Sequence, residues 1–223
     1  MPRSKAKNGR RTSQNGGNFH LEFKNDAQGM AWAAFKQHDV LFLVGPAGTG
    51  KSHLAVAFAC EQILSKEKRR IILTRPIVEA GESLGYLPGE FEEKVQPYMM
   101  PMYDCIDKLV GREGVWRDKI NQALEVVPLA YMRGRTFDDA VCIFDEAQNA
   151  TMKQLKLFMT RFGEGSKVII NGDPTQSDLG GDVALTNVMH RLSDVQGIGA
   201  VQFKANSIVR HPLVSKIIEK LES

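Results

Sequence analysis

Cysteine is scarce: Cys60, Cys105 and Cys142 are widely spaced and form no C-x-x-C pair. That spacing excludes a zinc ribbon and a disulfide-built scaffold, and the three read as small buried apolar residues in a reducing compartment. No apolar run approaches a membrane span, and the N-terminus lacks the apolar core of a secretory signal. The expectation is a cytoplasmic protein with no membrane partner. There is no internal repeat. Strong net charge is also lacking: the chain carries +3. That excess sits in the first 11 residues, where Arg3, Lys5, Lys7, Arg10 and Arg11 meet no acid, and the remaining 24 basic and 26 acidic residues leave the body at −2. Residues 1–18 are polar and rich in Gly, Ser and Asn, so a disordered tail is expected. Such a tail solubilises, or it draws nucleic acid.

What remains is an ordinary globular composition, 43% apolar and 25% charged over 223 residues. It is enough for one substantial domain, residues 19–223, with an insertion around 75–125. The runs VLFLV (40–44), IILT (71–74), VCIF (141–144) and KVIIN (167–171) are short and continuously apolar, as strands buried on both faces of a parallel sheet are. FHLEF (19–23) reads as an edge strand, VVPLA (126–130) as a further strand and 200–204 as another. Helices are expected after Asn25 or Asp26, over 51–64, near 102–110 and 115–124, over 151–162, near 182–193 and over 213–222. Gly81, Gly85, Pro88, Gly89, Pro97 and Pro101 break the chain repeatedly, which is the ground for the insertion. Alternating strands and helices imply an α/β fold with a mostly parallel sheet covered on both faces.

Between the first predicted strand and the helix after it lies GPAGTGKS: Gly45, Pro46, Ala47, Gly48, Thr49, Gly50, Lys51 and Ser52. Its G-x-x-x-x-G-K-S spacing lets a glycine-rich backbone fold round a phosphate at a helix N-terminus. Lys51 reaches the terminal phosphates and the Ser52 hydroxyl ligates Mg²⁺. The motif's fixed positions would coincide by chance in a chain this size about once in a hundred. The strand VCIF ends in Asp145 and Glu146, two like charges whose repulsion calls for a cation. In an open parallel sheet that end faces the ligand crevice. Asp145 would hold the metal and Glu146 would orient and deprotonate a water. After KVIIN comes GDPTQ, where Gln176 can sense a γ-phosphate or align the water. Gln28, in KNDAQ, can pair with an adenine edge.

Gln28, GPAGTGKS, LTRP (73–76), FDEAQ and GDPTQ occur in the order seen in the first RecA-like domain of superfamily 1 helicases. The longer strings RPIVEAGESLGYLPGEFEEKVQPYMMPMYD, PLAYMRGRTF, DEAQNAT, TRFGEGSKVIINGDPTQSDL and IVRHPLV closely resemble the PhoH-like protein family, from about residue 24 to the C-terminus. The resemblance implies a three-layer RecA-like P-loop NTPase core, ATP and Mg²⁺ as ligands, and a cytoplasmic ATPase linked to RNA metabolism and helicase activity that assembles as a hexameric ring. Some members carry a nuclease or RNA-binding domain. The bare core read here fits a phage-encoded member. The resemblance also places Thr74 and Arg75 against a nucleic-acid backbone.

One RecA-like domain lacks the arginine that a second domain supplies to the transferring phosphoryl group, so a neighbouring subunit is expected to supply it. Arg210 is the first candidate, with Arg133, Arg135 and Arg161 behind it. Tyr86, Phe91 and Tyr98 are candidates for stacking on bases or for the core. Two other readings stand beside the ATPase: a nucleotide-dependent ring-forming scaffold with little unwinding, and a P-loop nucleoside kinase. The kinase relatives carry paired cysteines that this chain lacks.

Overall fold

In the computed structural model the described residues are 19–76, 91–176, 184–204, 207, 209, 213 and 220, with residues 91–95 described by backbone alone. Helix α1 (Asp26–Gln37) begins where Asn25 accepts a 3.1 Å bond from the Gln28 amide, a side-chain cap on an otherwise orphan N–H. The chain then alternates: β1 (Val40–Val44), α2 (Lys51–Leu64), β2 (Arg70–Thr74), α3 (Phe91–Val110), α4 (Val115–Ala123), β3 (Leu124–Val126), β4 (Ala140–Phe144), α5 (Met152–Met159), β5 (Lys167–Gly172), α6 (Ala184–Arg191) and β6 (Ile198–Gln202). Thr151 and Gln154 close a capping box at the start of α5.

The six strands form one sheet in the order β3-β2-β4-β5-β1-β6, and every pair is parallel. Side chains alternate between its faces. Leu41, Leu43, Ile71, Leu73, Val141, Ile143 and Ile169 meet Leu54, Phe58 and Ala59 of α2 with Met99, Met102 and Ile106 of α3. Phe42, Phe144 and Ile170 meet Leu155 and Phe158 of α5 with Leu185 and Val188 of α6. The fold is thus a three-layer α/β sandwich. Each fully buried Leu, Ile or Phe contributes about 1.5–3 kcal/mol by leaving water. The three cysteines are free, and burial pushes the Cys60 and Cys142 thiols up to about 12, so they pack as apolar side chains.

Several expectations are corrected. Residues 19–23 form no strand; Phe19 sets its ring edge-on to Trp116 at 5.8 Å. The third strand ends at Val126, and Leu129–Met132 turn as a short 3-10 helix, because Pro128 has no N–H for a ladder. Pro97 and Pro101 do not break the chain but lie inside the 20-residue helix α3. Within the segment expected as an insertion, α3 and α4 lie in the chain between β2 and its parallel neighbour β3. Met102, Ile106 and Ile120 are fully buried against α2, and this packing outweighs the lost hydrogen bonds. The helix expected over 213–222 lies almost wholly outside the described residues, as do residues 1–18.

Because α3 and α4 share one core with α2, Met102→Ala is expected to cost about 2–5 kcal/mol. Denaturation followed by Trp116 fluorescence in a Trp32→Phe background should coincide with loss of helical circular dichroism. Two separate transitions would mark these helices as an independent insertion.

Candidate functional site

Four strand ends meet at the C-terminal edge of the sheet. From β1 the chain enters the glycine loop. Gly45 has φ 142°, and a Cβ there would strike the Phe203 carbonyl oxygen, so only glycine lets the loop leave the strand beside β6. Gly50, at φ 90°, precedes α2 and turns the loop into the helix. The Lys51 ammonium donates to the carbonyls of Gly45 at 2.7 Å and Pro46 at 3.0 Å, folded back over its own loop.

The acid pair lies directly opposite. Ser52 Oγ donates to Asp145 Oδ1 at 2.7 Å, joining α2 to the end of β4. Asp145 is buried, 2% exposed. Burial, then the charge of Glu146, pushes its carboxyl above the usual range, while the Ser52 bond, Arg75 and the Asn171 amide oppose the shift. Glu146 sits in the left-handed region, φ 52° and ψ 41°, which costs a non-glycine residue about 1–2 kcal/mol. Its carboxylate is held from two sides: Gln148 Nε2 donates to one oxygen at 2.5 Å, and the Arg75 guanidinium lies 3.5 Å from the other. Arg75 also lies 3.9 Å from Asp145 and donates to the Tyr98 carbonyl of α3 at 3.2 Å.

The third element ends β5. Asp173 is buried and accepts from the Ala47 amide at 3.0 Å, tying the phosphate loop to the GDPTQ turn, while its other oxygen takes the Thr175 amide and hydroxyl. Gln148 accepts from the Asp173 amide at 3.1 Å, so the acid loop and this turn are also joined. Before the turn, Asn171 is 1% exposed, and neither of its amide atoms makes a well-formed hydrogen bond. An unsatisfied buried amide costs about 1–3 kcal/mol.

Lys51, Ser52, Asp145, Glu146, Asn171, Asp173 and Gln176 line one cleft of about 320 Å³, with Ala47, Gly48 and Gly50 in its wall. A larger groove of about 510 Å³ lies at the opposite edge of the sheet among Val40, Met152, Phe162, Val188 and Ile198, away from every chemistry-bearing motif. In the cleft, a hydroxyl and a single carboxylate are hard oxygen donors set against each other. They suit Mg²⁺, which keeps waters and takes phosphate oxygens. Among the described residues no three His, Cys, Asp or Glu side chains gather as an all-protein metal cage.

The other expected site residues are placed as follows. Gln28 is buried behind the loop, accepting from the Lys24 amide at 2.8 Å and donating to the Thr49 carbonyl at 3.3 Å. Thr74 is 1% exposed inside the sheet, so of the pair assigned to a nucleic-acid backbone only Arg75 reaches the crevice. Arg135 pairs with Glu125 and covers the Phe137 ring at 4.7 Å; Arg161 donates to Thr160; Arg133 is exposed. Residues 135, 137 and 161 cluster ahead of the start of β4, at the far edge from the cleft. Arg210, Tyr86 and the side chain of Phe91 lie outside the described residues. Not foreseen were the Arg75–acid pairing, the Asp173 clasp and the poorly satisfied amide of Asn171. The only signal for Asn171 was a polar residue ending an apolar strand.

A parallel sheet in which one strand, β5, separates the phosphate-loop strand from the acid-pair strand is that of the P-loop NTPases. The large terminase of a thermophilic bacteriophage shares this architecture, with a TM-score of 0.58 at 11% identity over 87% of this chain and 49% of that one. At the level of family, the PhoH-like protein profile matches residues 20–222, and the chain belongs to that family. It is 50% identical over 189 residues to a PhoH-like protein of Bacillus subtilis, covering 84% of this chain and 59% of the relative. It is 40% identical over 200 residues to protein PhoH of Escherichia coli K12, covering 87% and 56%. The chain therefore spans somewhat over half the length of these relatives. No helix among the described residues is long and apolar enough to cross a membrane.

A carboxyl whose folded pKa is raised contributes stability that is full below its unfolded value, about 4, and lost as pH rises through the folded pKa. Without added metal, Asp145→Asn is therefore expected to melt above the parent at about pH 7, by about 2–4 °C per kcal/mol relieved. The gap should close as pH falls toward about 4. A gap that stayed constant across that window would show that the Asp145 charge is not the source.

Proposed function

We propose that this chain binds ATP with Mg²⁺ in the strand-end cleft and hydrolyses it, coupling turnover to binding or remodelling of RNA or single-stranded nucleic acid. The observation that carries the reading is the 2.7 Å bond from Ser52 to Asp145, which puts phosphate loop and acid pair on one point. With a triphosphate present, the Lys51 ammonium turns from its own loop carbonyls to the terminal phosphates. Ser52 and Asp145 would hold Mg²⁺, which neutralises phosphate charge when bound. Glu146 accepts the proton of the attacking water, and its strained backbone aims the carboxylate into the cleft. Gln176 stands at the rim, where it can align that water. Gln28 serves the adenine side by way of the loop it braces.

Arg75 carries the coupling. It is paired with Glu146 at the crevice mouth, and a polynucleotide phosphate, which a guanidinium can grip bidentately, competes with that carboxylate for it. A bound strand draws Arg75 off and frees the base. A neighbouring subunit in a hexameric ring supplies the arginine, Arg210 first. The hold on Glu146 also favours a second reading, a ring-forming scaffold that binds ATP and unwinds little; duplex-unwinding assays set against strand-binding assays separate the two. Phosphate release that needs no nucleoside acceptor separates both from a kinase.

Glu146→Gln should keep ATP binding and lower turnover about 10²–10⁴-fold, whereas Lys51→Ala should lose tight binding. Turnover at the parent rate in the Gln variant removes Glu146 as the base. Measured with and without RNA and single-stranded DNA, Arg75→Ala should show a raised basal rate and no stimulation. Stimulation of parental size in that variant would refute the coupling through Arg75.

A further inference from the structure

Asn171 is the side chain in the cleft that protein contacts explain least. β5 runs Lys167–Gly172, and the three residues before Asn171 are Val168, Ile169 and Ile170, all buried in the sheet's two cores. A fourth aliphatic side chain would continue the pattern without leaving a polar atom. Instead there is an amide, 1% exposed, whose nitrogen and oxygen both lack a well-formed bond. Its side chain lies near the carboxyl of Asp145, whose charged form it favours. Buried polar side chains are nearly always bonded, and an exception calls for a partner from outside the chain.

Its position says what that partner is. Asn171 pairs in register with Leu43 of β1, one step before Val44 and Gly172 pair at the mouth of the phosphate loop. It shares the sheet face of Ile169, the face covered by α2, whose first turn carries Ser52. β5 lies between β1 and β4, so Asn171 stands midway between the loop that grips phosphates and the strand that ends in the acid pair. It lines the same cleft as Lys51, Ser52 and Glu146. The group that belongs midway between a phosphate grip and a base is the outermost phosphate, together with the water that attacks it.

We propose that Asn171 reads the third phosphate: its Nδ2 donates to a terminal phosphate oxygen and its Oδ1 accepts from the attacking water. An amide suits this place better than the alternatives. It is donor and acceptor at once and carries no charge. A carboxylate would repel both the phosphate and Asp145, and a lysine would add a cation that Lys51 already supplies. Gln176, the residue expected in this role from the motif, is exposed on the rim, whereas Asn171 is at the floor. The assignment deepens the ATPase reading and depends on it.

The test compares nucleotides. Mg·ADP and a Mg-bound hydrolysis-resistant ATP analogue are titrated into the parent chain and into Asn171→Ala by calorimetry, with thermal melting of both proteins. The expected result is ADP affinity within about twofold of the parent, analogue affinity lower by about tenfold or more, and a melting temperature no lower than the parent's. Equal losses for the two nucleotides, or no loss for the analogue, overturn the proposal. So does a melting temperature that drops while nucleotide preference stays intact. Should Asn171→Ala fail to fold, Asn171→Ser, which keeps a small polar group, carries the same comparison. A parent chain that binds neither nucleotide sinks the ATPase reading itself, whereas a parent that prefers the analogue and a variant that shares the preference sink only the role of Asn171.

Discussion

The site depends on one hydrogen bond between residues 93 positions apart in sequence, from the hydroxyl of Ser52 to the carboxylate of Asp145. It fixes the first turn of α2 against the end of β4. Everything else in the cleft is placed relative to that line: Lys51 one residue before the serine, Glu146 one residue after the acid, and the turn of β5 between them. Were either strand slipped by one residue, the pleat would turn the acid toward the opposite layer and the cleft would lose its charge. The parallel register of β4 with β2 and β5, set by continuously apolar strands, is what prevents this.

Stability and strain are divided between the layers and the crevice. The two apolar cores hold fully buried phenylalanines, leucines and isoleucines with no polar group to satisfy. Three unfavourable features stand at the crevice edge: a buried carboxyl beside a like charge, a non-glycine residue in the left-handed region, and an amide without a well-formed bond. Such groups persist where the surrounding fold over-determines them. The proposed triphosphate with a divalent cation would supply what each lacks: countercharge for the acids and hydrogen-bonding atoms for the amide.

Much of this was legible from sequence, and the reasons differ by feature. The phosphate loop and the strands before and after it are written in local chemistry, glycine spacing and apolar runs, and helix α2 begins and ends where those signals put it. The meeting of the loop with Asp145 followed from one rule about which end of a parallel sheet faces ligand. The rest is decided by contacts between distant residues. Pro97 and Pro101 look like breaks until α2 is there to pack against α3. Arg75 looks like a free cation until Glu146, 71 residues later, is folded next to it. Phe19 to Phe23 has strand-like composition but gains more by resting on Trp116 than by extending the sheet. Gln28 is buried against the loop by a helix cap that only the tertiary fold orients.

The clasp from Asp173 to the Ala47 amide ties the glycine turn to the tip of β5, as two parts of one jaw. With turn and tip fastened together, any displacement of one carries the other with it. On the opposing side Arg75 hooks the acids to the Tyr98 carbonyl near the middle of α3. The long proline-bearing helix is thereby tethered to the acid end of the cleft.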